Sequence, residues 1–125
     1  MAQLAEEYRT TLTKLARDQD DSVRSHAIFA IALGNSPEDV SLVQKAIKDK
    51  SPKVRAMTLA GLTARGKPDV NADLLIARLD DDEPAVRRRA CQAVAACVQP
   101  EHYSIVKLVE KVGISPRGQD AVIVG

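Results

Sequence analysis

Aromatic side chains are nearly missing from this chain: Tyr8, Phe29 and Tyr103 are the whole set in 125 residues, and there is no tryptophan. A single compact core of this size ordinarily holds more of them. Ala, Val, Leu and Ile carry the apolar content instead, and such side chains suit many thin, similar layers of closely approaching helices. A charge excess is missing too. Eighteen basic residues stand against seventeen acidic ones, net +1, so no whole-chain field gathers nucleic acid or anionic membrane. No stretch approaches the ~20 apolar residues of a membrane span, and Glu6, Glu7 and Arg9 interrupt any signal-like run at the N-terminus. These absences lead us to expect a cytoplasmic protein. Cysteine is limited to Cys91 and Cys97, six apart on one expected helix, hence about 9 Å apart along its axis and on different faces. That spacing excludes a disulfide between them. With His26 and His102 at no ligand spacing, both are expected to be buried free thiols and neither a metal nor a cofactor is expected.

What the chain does have is an internal repeat. Val23-Arg24, Val54-Arg55 and Val86-Arg87 are separated by 31 and 32 positions. Five residues before each valine lies Asp18, Asp49 or Asp81, and two before it lies Asp21, Pro52 or Pro84. Small and apolar pairs follow in register: Ala27-Ile28, Thr58-Leu59 and Ala90-Cys91, then Ala30-Ile31, Gly61-Leu62 and Ala93-Val94. Fourteen residues after each valine stands Pro37, Pro68 or Pro100, each followed by an acid.

Each unit therefore reads as two helices. The offsets 0, 4, 7 and 8 make one helical face, and Pro52 and Pro84 sit where a first-turn proline is tolerated. Asp20, Ser51 and Glu83 fall at or near N-caps, and Ser36 with Asp39 forms a capping box around Pro37. First helices are expected over about 21–34, 52–65 and 84–98 and second helices over about 37–48, 68–79 and 100–112. The second helices' buried stripe is expected from Val43 and Ala46, Leu74 and Ala77, Val106 and Val109. Leu12 and Leu15 match second-helix core positions, making residues 1–17 a half repeat ahead of units 18–48, 49–80 and 81–112. After Val112 the pattern decays, so 113–125 is expected to be an irregular tail.

Asp-x-x-Pro-x-Val-Arg ahead of an alanine-rich helix resembles HEAT repeats, most closely the short variety named after phycobilisome lyases. Asp49 to Arg55 and Asp81 to Arg87 match that pattern fully; Asp18 to Arg24 departs from it only by Asp21 at the proline place. The resemblance implies an all-α, right-handed solenoid of stacked antiparallel helix pairs over residues 1–112. It further implies a structural ladder in which Arg24, Arg55 and Arg87 bond loop aspartates Asp18, Asp49 and Asp81 between neighbouring units. It specifies function weakly.

Other motifs yield to structural readings. Gly61 to Lys67 fits seven positions of a phosphate-binding loop, but Pro68 replaces the metal-directed hydroxyl and no strand precedes it. Arg87-Arg88-Arg89 reads as a solvated flank facing Asp80, Asp81 and Asp82, and those acids lack the alternating ligands and glycine of a calcium loop. His26 reads as a helix-flank residue, and no serine, threonine or cysteine has an arguable base beside it. The chain is thus expected to be a non-catalytic scaffold for a protein partner, using a concave surface of its second helices. The candidate surface comprises Gln44, Lys45, Lys48, Leu75, Ile76, Lys107 and Lys111. Leu75 and Ile76 are either apolar side chains left over beside those lysines, or buried by a rotated middle helix. An accessory subunit of a bilin lyase-type enzyme is the second reading, and it needs aromatic or histidine contacts that are scarce here. A nucleic-acid-binding module is the third, and the lysines form only a sparse line without aromatic partners.

Overall fold

The computed structural model describes residues 2–34, 36–66 and 70–98. Six α-helices run through them: α1 (Ala2–Leu15), α2 (Asp21–Gly34), α3 (Val40–Ile47), α4 (Pro52–Arg65), α5 (Ala72–Ala77) and α6 (Pro84–Cys97). The expected second helix over 100–112, with Val106, Lys107, Val109 and Lys111, and the tail 113–125 lie outside the described residues. So does the stretch 67–69 with Pro68.

The three long helices stack in chain order, α2 on α4 and α4 on α6, while α1 packs on α2, α3 on α4 and α5 on α6. This is an all-α solenoid, and the repeating valine explains its layers. Val54 and Val86 are fully buried, as are Leu59, Leu62, Ala90 and Ala93, which fill the space between successive long helices. Small residues set how close those helices come. A Cβ added at Gly61 would lie 2.7 Å from the Ala32 Cβ and 3.0 Å from the Phe29 carbonyl, so α2 and α4 touch there backbone to backbone. The phosphate-loop-like run is accordingly helix up to Arg65, closed by Gly66 at φ 79°, whose N–H bonds the Leu62 carbonyl.

The second helices depart from expectation. Residues 37–39 form a 3-10 turn, and α3 begins at Val40. The Ser36 side chain accepts no cap bond, and Asp39 is taken by Arg9 from α1, which overrides the expected capping box. In the middle unit the helix begins at Ala72, where the Asn71 side chain accepts from the Asp73 N–H, and it passes into a 3-10 turn at Arg78–Asp80. The stripe turns with it. Leu75 is fully buried, Leu74 is only partly buried and Ala77 is exposed, the reverse of the expected Leu74 and Ala77 pattern. Cys97 is buried as expected, with its thiol against the Leu62 carbonyl at 3.4 Å, but Cys91 is exposed because α6 presents it on the side facing away from α4. In the half repeat, Leu12 packs on the core whereas Leu15 stays exposed. The N-caps divide similarly. Asp20 accepts from the Ser22 and Val23 N–H groups, whereas the side chains of Ser51 and Glu83 make no cap bond.

Candidate functional site

Along the loops that precede α2, α4 and α6, each aspartate folds back on the chain. Asp18, Asp49 and Asp81 accept, through Oδ1, the N–H two residues on, at 2.8, 2.9 and 3.0 Å. The turn holds each carboxylate facing the preceding unit. The arginines are similarly repetitive. Nη1 of Arg24, Arg55 and Arg87 donates to the carbonyl of its own loop aspartate at 2.9, 2.8 and 2.7 Å, tying the helix to the loop that leads into it. The other edge of the fork crosses to the next unit. Arg24 Nε and Nη2 donate to Asp49 at 3.2 and 2.9 Å, and Arg55 Nε and Nη2 donate to Asp81 at 2.9 and 3.0 Å. Such two-point contacts are stronger than single ones and fix orientation.

Burial grades the rungs. The Asp81 side chain is 2 % exposed and that of Asp49 18 %. Burial alone pushes the Asp81 carboxyl up, but the bonds from Arg55 and the Glu83 N–H, with the charges of Arg55 and Arg78, outweigh it and hold it below the ordinary carboxylate range. The Ser51 hydroxyl, donating to Asp21 at 2.8 Å, likewise holds Asp21 low. Arg87 has no crossing acceptor among the described residues, and the arginines after it, Arg88 and Arg89, are exposed without a carboxylate partner there. His26 is exposed on the α2 flank, its Nδ1 donating to the Ser22 carbonyl.

The expected partner surface divides. Leu75 leaves it, being core. Gln44 is half-buried and engaged, its Oε1 accepting the Asn71 N–H at 3.0 Å and so anchoring the entry to α5. Ile76 is half-buried, and Lys45 and Lys48 are exposed on α3 and the turn that ends it. Those two lysines do not face Ile76 across a shared patch; they line a hollow of about 430 Å³ between α3 and the turn that follows α1, joined by Arg17 and Lys50. Ile28, Leu42 and Ala46 contribute its apolar floor. Among the described residues none of these four cations has an ion-pair partner, whereas Arg24 and Asp49, also on its wall, neutralise each other. A wider hollow of about 1140 Å³, reached past Arg17 and Asp18, continues it along α1 with Lys14 on its rim. Sequence reasoning missed Arg17 and Lys50. Arg17 stands 31 residues before Lys48, one repeat length, and that register is its signal.

Helix pairs stacked along one axis, with a bonded arginine-aspartate ladder at both junctions between the long helices, define an α-solenoid repeat protein. A family model described as HEAT repeats matches residues 9–96, and the chain belongs to the HEAT-repeat family. No curated protein and no solved structure matches it. Among the described residues, no helix is long and apolar enough to cross a membrane.

Proposed function

We propose that this array is a non-catalytic docking module that takes an acidic segment of a protein partner into the trough between α3 and the turn that follows α1. One observation carries the reading: four cations without an ion-pair partner among the described residues, Arg17, Lys45, Lys48 and Lys50, ring a hollow with an apolar floor. Asp18 is the only carboxylate on that wall not already held by a cation, so the trough keeps a net positive charge. An apolar side chain flanked by Asp or Glu fits this arrangement. Its burial on Leu42 and Ala46 supplies affinity, while the cations supply register and encounter rate. The same cations would attract phosphate, but the trough has no aromatic side chain on which a base could stack, which favours a protein over single-stranded nucleic acid. The paired ladder residues on its wall, Arg24 and Asp49, are structural in this reading.

Fluorescence anisotropy with labelled acidic nonapeptides bearing one central leucine tests it. Binding is expected to weaken as salt rises past about 0.1 M, where the screening length falls to about 10 Å. The double change Lys45→Glu with Lys48→Glu should abolish it at an unchanged melting temperature, while Lys53→Glu, away from the trough, should not. A poly-thymidine oligonucleotide binding as tightly as the best peptide, or peptide binding indifferent to the double change, would refute the proposal.

A further inference from the structure

Among the described residues, the large apolar side chains left exposed, Tyr8, Leu15 and Leu33, all belong to α1 and α2. Tyr8 and Leu15 flank a seam between α1 and α2. One hollow of about 400 Å³ lies against Leu12, Leu15, Val23, His26 and Ala27, and another of about 250 Å³ lies further along against Tyr8, Ala30 and Gly34. Comparison with the other layers identifies what the seam lacks. Val54 and Val86, covered by α2 and α4, are 1 % and 0 % exposed, and Gly61 and Ala93 beneath the same helices are buried; their counterparts Val23 and Ala30 on α2 are only half-buried. Among the described residues nothing packs on that side of α2 except α1.

The same layer has an unfilled rung. Asp18 is held by the same turn as Asp49 and Asp81, yet each of those accepts a two-point contact from the arginine of the covering helix, whereas Asp18 accepts only the Asp20 N–H. Asp18 makes the same turn bond as Asp49 and Asp81, and Val23, Ala27 and Ala30 hold the sequence places of the valine and small residues buried at both internal junctions. α1 already fills the second-helix place of this layer, so there is room for one helix and not for a pair. We infer that the α1–α2 seam docks a single amphipathic helix of a partner protein, one that carries an arginine in its first turn for Asp18 and a small-residue face for Val23, Ala27 and Ala30. This surface meets the basic trough only at Asp18, which lies on the trough's wall, and the chemistry differs: the trough attracts acids and the seam selects a cation.

The chain contains its own template for the occupant. Val23, Ala27 and Ala30 repeat Val86, Ala90 and Ala93, and those three lie beneath α4. A synthetic peptide of residues 49–66, locked as a helix by a hydrocarbon bridge on its solvent side, is therefore the probe, titrated into the full-length chain and followed by NMR methyl shifts. We expect saturable shifts of Val23, Ala27, Ala30 and Leu33 at peptide concentrations below about 1 mM. Arg55→Ala in the peptide, or Asp18→Asn in the chain, should weaken binding about ten-fold, since asparagine keeps the acceptor for the Asp20 N–H and removes only the charge. Lys45→Glu with Lys48→Glu should leave it intact, which separates this site from the trough. Three results would each overturn the inference: no seam shifts, equal affinity for the peptide lacking its arginine, or a chain that is dimeric without peptide and protects Val23 and Leu33 in its own interface.

Discussion

Replacing Arg55 by alanine isolates the value of one ladder rung. The change removes two bonds to the Asp81 carboxylate, at 2.9 and 3.0 Å, and two to the loop carbonyls of Asp49 and Lys50, at 2.8 and 3.3 Å. What remains around Asp81 is the Glu83 N–H and the longer contact from Arg78 at 3.3 Å. Two effects compete. Stranding a buried carboxylate costs about 3–5 kcal/mol when its partner is simply deleted, whereas an exposed pair is worth less than about 1. At 2 % exposure Asp81 belongs to the first case, but Arg78 and the turn amide retain part of the compensation, so we expect a loss of about 2–3 kcal/mol. For a domain of this size that corresponds to a melting temperature lower by about 8–15 °C. Urea denaturation followed by circular dichroism measures it, with Lys53→Ala as the control: Lys53 reaches only the Ser22 hydroxyl at the surface, and its loss should cost under about 0.5 kcal/mol. Arg55→Lys should recover less than half of the loss, because a point charge cannot reproduce the fork. Equal midpoints for Arg55→Ala and Lys53→Ala would refute the reasoning, since they would mean that the crossing contact contributes nothing the surface does not.

Gly61→Ala should destabilise by about 1–3 kcal/mol although alanine is the better helix former by about 1, because its Cβ would lie 2.7 Å from that of Ala32. Adding Ala32→Gly should restore most of the loss, and a stabilised single variant would show that α2 and α4 separate freely. Leu75→Ala should cost about 2–5 kcal/mol in chemical denaturation, and Ile76→Ala clearly less, since Leu75 is fully buried and Ile76 only half; equal costs would contradict the observed rotation of α5. Asp81, with its folded pKa lowered, stabilises the fold in full above the unfolded carboxylate value of about 3.9, and that contribution fades as the pH falls through it towards the lower folded value. Stability measured from pH 7 to pH 3 should therefore converge between wild type and Asp81→Asn at the acid end, and curves that stay parallel would remove Asp81 from the acid response.

The long helices were legible in the sequence because three independent constraints coincide there. The period of the valine, the first-turn proline and the small residues at Ala30, Gly61 and Ala93 all point to the same boundaries, and α2, α4 and α6 begin within a residue of them. The second helices have no such redundancy. α5 is six residues long, under two turns, so its orientation follows from its anchors more than from its own stripe. Those anchors are long-range: Gln44 of the preceding unit holds the Asn71 N–H, and Asn71 sets the first turn. Shifting the inward position by one residue turns a helix by about 100°, enough to exchange Leu74 for Leu75. The sequence still contained the correction. Counted forward from their own marker, Val43 and Leu74 correspond; counted back from the next marker, Val43 precedes Val54 by eleven residues and Leu75 precedes Val86 by eleven. The unit of 32 residues carries its extra residue ahead of α5, and the helix takes its register from the layer it packs against next. By the same logic Leu79 holds the place of Ile47, and it too packs against the core. The choice left open for Leu75, surface or core, turns on the same rotation. Once Leu75 turns inward, the lysines of α3 are left facing Arg17 across the trough instead of an apolar neighbour on α5, and the candidate site moves from the middle of the array towards its first two layers.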